Sequence, residues 1–399
     1  CCGSPLPSAA GTGYWRGMTD AAHTPAPHSP ATDRPTVRLR PKAEARAIRH
    51  GFPWVYSDEL VLDRRSKSLT PGTIARLEDA ERRPLGTVTV NPDSKITARM
   101  LDFDAEVEID HNWLVTRLRA ALDLREQLYD APYYRLVHAE GDLLPGLVID
   151  RFGDAAVIQP NAAWADAMID TLADALAEVT GVTAILKSGS GRARKLEGLD
   201  DATTWLRGEV TAPIPVMMNG ATYMADLTGG QKTGLFYDQR PNHAFIAGLA
   251  RGRTVLDVFS HVGGFALAAL SQGAVSAVAV DGSGPALELA QQGAEASGHA
   301  AAFTTRQGDA FAELEALAQE GARFDIVICD PPAFAPSKQA LEAGLRAYER
   351  IARMAAGLVA DGGILCVCSC SHAADLTRFR NASARGIGKG GRRAQLIHT

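Results

Sequence analysis

Asp257-Val258-Phe259-Ser260-His261-Val262-Gly263-Gly264-Phe265 carries the chain from a short apolar run, through a glycine pair, into a second apolar run. Working outward, residues 255–259, 277–280, 324–329 and 363–368 read as buried parallel strands, and the segments between them place apolar residues at helical spacing. This pattern predicts an α/β fold with an open, doubly wound, Rossmann-like sheet. Ligands of such sheets bind outside the carboxyl ends of the strands. Asp257, Asp281, Asp330 and Cys370 all fall there.

Glycine lets a backbone turn tightly and approach a ligand, and a helix that starts at once offers free N–H groups. The six-residue dinucleotide fingerprint is absent, because only the Gly263-Gly264 pair is present. Asp281, at the end of the next strand, is placed to accept hydrogen bonds from ribose hydroxyls. Asp309, in Gly308-Asp309-Ala310-Phe311, is placed to meet an adenine amino group. Adenosine binding without a pyrophosphate loop points to S-adenosylmethionine rather than NAD.

The chain has 399 residues, 46% of them hydrophobic, enough to bury the cores of two or three domains. No uninterrupted apolar stretch approaches the roughly 18–20 residues that span a bilayer, so a cytoplasmic protein is expected. The net charge of −5 excludes a uniformly basic nucleic-acid binder. Distribution matters more than the sum. From Arg34 to Lys67 nine Lys/Arg stand against four Asp/Glu, and after Asp375 come six Lys/Arg (Arg378, Arg380, Arg385, Lys389, Arg392, Arg393) with no acid. Solvated surface explains either run alone; two runs flanking one cleft suggest phosphate contacts. Six cysteines, none between Cys2 and Cys329, do not make a disulfide framework. Cys366, Cys368 and Cys370 are expected on one strand face about 6–7 Å apart, too far for a mutual disulfide and unsuited to a compact metal site.

Residues 1–33, rich in Ala, Pro, Ser, Thr and Gly, read as a disordered or spurious extension, with Met18 a more plausible start. Residues 34–108 read as a small β-rich module, with segments at 37–39, 73–77, 86–90 and 96–101. A middle α+β domain, 109–210, is marked by Leu114, Leu118 and Leu122 and by Ile169, Leu172, Leu176 and Val179 at helical spacing, with strands at 146–150 and 155–159. Residues 211–399 hold the doubly wound sheet.

Gly230-Gln231-Lys232-Thr233-Gly234-Leu235-Phe236-Tyr237-Asp238-Gln239-Arg240 resembles the signature segment of the bacterial class I S-adenosylmethionine-dependent methyltransferases that form 5-methylcytosine in large-subunit (23S) ribosomal RNA. Tyr134-Arg135-Leu136-Val137-His138, followed by Leu144-Pro145-Gly146-Leu147-Val148-Ile149-Asp150, is similar to that family's central-domain motif. Gly51-Phe52-Pro53-Trp54-Val55-Tyr56-Ser57 resembles the start of its RNA-binding PUA barrel. The likeness runs from about Val37 to Thr399. It implies that Gln231, Lys232, Thr233, Gly234 and Phe236 lie against the cofactor. With Asp257, Phe259, Ser260, Gly263, Gly264, Asp281, Asp309, Ala310, Asp330 and Pro331, these form the expected S-adenosylmethionine site. No metal is expected. Trp54 reads as a barrel aromatic before a base-stacking one, and the charged loop 187–195 as solvated surface.

Carbon 5 of a pyrimidine is a poor nucleophile until a thiolate adds to carbon 6, and Cys370 is placed to supply it. A thiol of pKa near 8.5 is only a few per cent ionised at neutral pH. A helix expected to begin near His372 would help through its positive end. Asp330 would hold the ring nitrogen or exocyclic amine, with Pro331 and Pro332 stiffening the loop. Asp-Pro-Pro also occurs in amine methyltransferases, and the cysteine does not choose between cytosine and uracil. The alternatives are therefore uracil carbon 5 or exocyclic-amine methylation, or a catalytically impaired protein that binds S-adenosylmethionine and RNA. Ribosomal RNA is the expected partner, loosely paired at the target; oligomeric state is open, with a homodimer one option. Ala394-Gln395-Leu396-Ile397-His398-Thr399 reads as a sixth strand, with the family's closing seventh strand absent and the chain truncated.

Overall fold

The computed structural model describes residues 34–229 and 234–399. Expectations for residues 1–33 and for Gln231, Lys232 and Thr233 fall outside these. The chain packs as two compact units that divide between Gly308 and Asp309.

The first unit opens with five strands: β1 (Thr36–Arg38), β2 (Trp54–Tyr56), β3 (Thr73–Glu78), β4 (Pro84–Val90) and β5 (Ile96–Asp102), in the order β1-β3-β4-β5-β2. Only β1–β3 is parallel. Val37, Leu39, Val55, Leu60, Leu77, Val88 and Val90 fill its core. The sequence pattern finds every strand but β2, which is three residues long.

Next comes α1 (His111–Leu128), capped where the Asp110 carboxylate accepts the Trp113 N–H at 2.8 Å. Strands β6 (Tyr133–His138), β7 (Leu147–Phe152), β8 (Ala155–Pro160), β9 (Ala184–Lys187) and β10 (Thr204–Arg207) form one sheet, β10-β9-β8-β7-β6, with α2 (Ile169–Thr180) between β8 and β9. Leu114, Leu118 and Leu122 share a buried cluster with Leu172, Leu176 and Val179, as their spacing predicts.

A polar seam ties this sheet to the barrel. Glu197, 5% exposed, accepts hydrogen bonds from Asn91 Nδ2 at 2.9 Å, Ser94 Oγ at 2.8 Å and the Arg99 guanidinium at 3.0 Å. Glu140 Oε1 accepts the Trp54 indole N–H at 2.8 Å and Arg99 at 3.3 Å. The loop 187–195 departs from its reading as solvated surface. Lys187 and Arg194 are buried, and both pair with Asp166, at 2.7 and 2.9 Å. Buried cations persist where carboxylates answer them.

The hairpin β11 (Ile214–Met218) and β12 (Ala221–Ala225) follows, turning at Asn219 and Gly220, both at positive φ. Then α3 (Arg240–Gly248), β13 (Thr254–Val258), α4 (Gly264–Ser271), β14 (Ser276–Asp281), α5 (Gly284–Ala296) and β15 (Phe303–Gln307) alternate, with parallel strands ordered β15-β14-β13.

The second unit holds α6 (Ala310–Gln319), β16 (Phe324–Cys329), α7 (Leu341–Leu358), β17 (Val359–Val367) and α8 (Leu376–Lys389), with β16 parallel to β17. Three sequence expectations need correction here. Strand β17 begins at Val359 rather than 363, and Ile364 to Val367 are half-buried instead of buried. The last helix starts at Leu376, where Asp375 caps it by accepting the Arg378 N–H at 2.9 Å, and not near His372. Residues 394–399 form no strand, for they share no ladder with another segment, and Leu396 and Ile397 stay exposed. The basic C-terminal run is largely spoken for: Arg378 pairs with Glu342, Arg385 and Lys389 with Glu349, and Arg392 with Asp361. The first three of these pairs join α8 to α7.

Candidate cofactor and catalytic sites

Between β13 and α4 the backbone takes a left-handed conformation three times, at Phe259 (φ 64°), His261 (φ 50°) and Gly263 (φ 81°). At non-glycine residues this costs about 1–3 kcal/mol each, so neighbouring structure must hold it. Asp281 does so: Oδ2 accepts the His261 N–H at 2.8 Å, and Oδ1 accepts the Ser283 N–H at 2.8 Å. Ser260 N–H donates to the Val280 carbonyl at 3.0 Å, tying the loop to β14. The first left-handed residue, Phe259, also explains why β13 stops one residue short of its predicted end.

The glycines have separate reasons. Gly263 needs its φ, whereas a Cβ at Gly264 would lie 2.6 Å from the His243 ring. His243 is an element that sequence reasoning misses. It sits against Tyr223 and edge-on to Phe265 at 4.4 Å, and burial pushes its pKa down to about 3. An apolar context gives no sequence signal for such a histidine.

These residues suit an adenosine-type cofactor. A carboxylate has about four lone-pair positions, and Asp281 spends one on the loop at His261 and one on Ser283 just after β14. The Ser260 hydroxyl is buried and has no hydrogen-bond partner among the described residues, as expected of a group kept for a ligand. Asp257 has a different surrounding: it is fully buried, and its Oδ2 accepts the Ala266 N–H at 3.0 Å, which steadies the start of α4. Phe236 meets His261 edge-on at 5.1 Å, beside the same loop. Gly234 is left-handed too, at φ 91°. The end of the signature segment is anchored on the central sheet, where Tyr237 OH donates to the Arg151 carbonyl at 2.8 Å and Arg240 to the Tyr133 carbonyl at 3.0 Å.

In the second unit Asp309 is exposed and caps α6, its Oδ1 accepting the Phe311 and Ala312 N–H groups at 3.0 and 3.1 Å, while Ala310 is buried. Asp330 directly follows β16 and is half-buried; Pro331 is buried. Cys370 is exposed beyond the end of β17, with Sγ 4.0 Å from the Pro331 carbonyl oxygen. The two motifs at the ends of β16 and β17 are thus brought together. Cys366 and Cys368 do not keep the expected separation of about 6–7 Å. Cys368 lies just past β17, and its Sγ is 3.8 Å from that of Cys366. The hydrogen bond with Cys366, and then burial, push the Cys368 thiol far up. A thiol so held is a weak nucleophile. Sequence reasoning also misses Tyr348, whose hydroxyl is 2.8 Å from both Ser369 Oγ and Ser371 Oγ.

Comparison with known proteins gives the family and the fold. A family described as S-adenosylmethionine-dependent methyltransferase matches residues 165–386, and a PUA-like domain matches residues 37–103. The ribosomal RNA large subunit methyltransferase I of Aeromonas salmonicida (strain A449) is 32% identical over 361 residues, covering 89% of this chain and 91% of its own. The ribosomal RNA large subunit methyltransferase of Deinococcus radiodurans is 34% identical over 379 residues, 92% of each chain. A solved structure from Streptococcus mutans covers 89% of this chain and 91% of its own with a TM-score of 0.73 at 20% identity; another, of a complex with SAH, reaches 0.73 at 21% over 89% and 90%. These two establish the fold. Among the described residues no helix is long and apolar enough to cross a membrane. The chain belongs to the S-adenosylmethionine-dependent methyltransferase family, with a Rossmann-like α/β fold, S-adenosylmethionine as its cofactor and a PUA-like domain near its N-terminus.

Proposed function

We propose that the protein methylates a cytosine at ring carbon 5 in large-subunit ribosomal RNA, in the cytoplasm, through a covalent adduct with Cys370. The relatives named above as large-subunit ribosomal RNA methyltransferases support the substrate class. One observation carries the chemistry: of the four cysteines described, Cys370 alone is exposed, and it lies against the loop that follows Asp330.

When bound, the cofactor supplies an electrophilic methyl group. Asp281, the Ser260 hydroxyl and the N–H groups at the start of α4 orient it, with Phe236 beside them. The target base leaves its stack, at a cost of a few kcal/mol that is smaller in loosely paired RNA. The Cys370 thiolate forms a bond to carbon 6, and the carbon 5–carbon 6 π pair becomes the nucleophile at carbon 5. Asp330 holds the exocyclic amine or the ring nitrogen and so stabilises the charge that builds as the adduct forms. After methyl transfer the carbon 5 proton leaves to a base. The carbon 6–sulfur bond then breaks, returning the thiolate.

Nucleoside mass spectrometry after reaction of unmodified ribosomal RNA with labelled S-adenosylmethionine tests this. Labelled 5-methylcytosine is expected with the wild type and with Cys368→Ala, and none with Cys370→Ala. Labelled 5-methyluridine, or an amine-methylated base formed equally well by Cys370→Ala, would replace the proposal with one of the alternatives. No transfer by any form would leave a binding protein.

A further inference from the structure

Ser369 and Ser371 bracket Cys370, and both hydroxyls bond the same phenol. Ser369 Oγ donates to Tyr348 OH at 2.8 Å, and Tyr348 OH lies 2.8 Å from Ser371 Oγ. Ser369 Oγ accepts the Ser371 N–H at 3.2 Å, and Ser371 Oγ accepts the Ala335 N–H at 3.0 Å. Each hydroxyl has one proton, so with Ser369 donating to the phenol, the phenol's proton goes to Ser371. The three hydroxyls and the Ser371 amide form a closed ring around residue 370. Ala335 connects that ring to the loop after Asp330.

Tyr348 lies on α7 and is fully buried, packed by Phe334 and by Phe379, each at 5.0 Å. Leu345 and Ala382 complete an apolar cluster that a phenylalanine would fill equally well. A phenol buried in such surroundings is costly unless its hydroxyl is satisfied. The two hydroxyl partners the structure gives it are the neighbours of the candidate nucleophile. We infer that Tyr348 is a positioning residue of the methyl-transfer reaction, its hydroxyl fixing the Ser369-Cys370-Ser371 turn so that the Cys370 sulfur stays in line with a base held at Asp330.

This rests on Cys370 as the nucleophile. Misplacement of a reacting group by about 1 Å can cost about a hundredfold in rate. Under single-turnover conditions Tyr348→Phe should therefore lower the methylation rate constant at least tenfold. Its amplitude, the affinity for S-adenosylmethionine and the KM for RNA should stay within twofold of wild type. A residue that merely supports folding would lower the amplitude, the fraction of active protein, and leave the rate constant alone. A wild-type rate constant in Tyr348→Phe, whatever its amplitude, overturns the inference. Ser369→Ala keeps the aromatic packing and serves if Tyr348→Phe fails to fold; a rate constant lowered severalfold supports the inference, and an unchanged one overturns it. Where both variants fold, the double variant should be no slower than the slower single, because each breaks one ring. Multiplying effects would overturn the ring. Cys370→Ala runs in parallel: full activity there defeats the nucleophile itself, whereas an inactive Cys370→Ala beside an unaffected Tyr348→Phe defeats the positioning role alone.

Discussion

Asp281 Oδ2 accepts the backbone N–H of His261 at 2.8 Å, so one carboxylate holds a left-handed loop residue, and it is also the group we propose for the cofactor ribose. Removing it should act on the loop and the ligand together. Asp281→Ala is expected to weaken S-adenosylmethionine binding at least tenfold by calorimetry, since a bond to a charged group is worth about 1.5–3 kcal/mol. Asp281→Asn keeps one acceptor oxygen and should fall between. Wild-type affinity in the alanine variant would remove Asp281 from the site.

His243 gives a pH signature with a definite sign. Burial lowers its pKa to about 3 from an ordinary value near 6.5. Between those values the unfolded chain takes up a proton that the native protein refuses, so stability falls as pH drops below 6.5. By pH 5 the loss from this residue is about 2 kcal/mol, with nothing lost above 6.5. Urea midpoints at pH 7.5 and 5.0 should differ less in His243→Gln than in the wild type.

The two basic runs should behave differently towards RNA. Arg64, Arg65 and Lys67 are exposed and make no ion pair among the described residues, whereas Arg385 and Lys389 pair with Glu349. Replacing the first three by Gln should flatten the slope of log affinity against log salt by about 2, at about 0.7 per phosphate contact on a single strand. Replacing Arg385 and Lys389 should leave the slope unchanged. Filter binding across a salt series reads both.

Glu197→Ala would strip Asn91, Ser94 and Arg99 of their shared acceptor at a buried seam. Breaking one side of a buried charge pair costs about 3–5 kcal/mol. A lower melting temperature is expected, with protease cutting between the barrel and the central sheet before either is digested.

The sequence speaks clearly where periodicity and burial coincide. Ile169, Leu172, Leu176 and Val179 mark a helix because one stripe meets one core, and 324–329 reads as a strand because it is apolar at every position but Asp325. Strands β6, β9 and β10 escape notice because they are short or carry Arg, His, Lys and Trp among their apolar residues. The hairpin β11–β12 leaves a usable signal, Asn219-Gly220, a strong two-residue turn. Charge is the least legible property. Lys187, Arg194 and the cations of α8 look free in one dimension and are answered by acids distant in sequence. At the site, the carboxylates and Cys370 stand out as strand-end residues, but Tyr348 reads as one more helix aromatic until its hydroxyl is seen between two serines.

The seam at Glu197 bears on how this barrel could be exchanged. Asn91, Ser94, Arg99 and Trp54 present donors whose acceptors, Glu197 and Glu140, belong to the next part of the chain. A barrel excised alone would return those donors to water. One grafted onto a foreign partner would bury them unanswered unless both glutamates came with it. The transferable unit is therefore the barrel together with its acceptors, and a chimera should be cut after the central sheet rather than at the barrel's last strand.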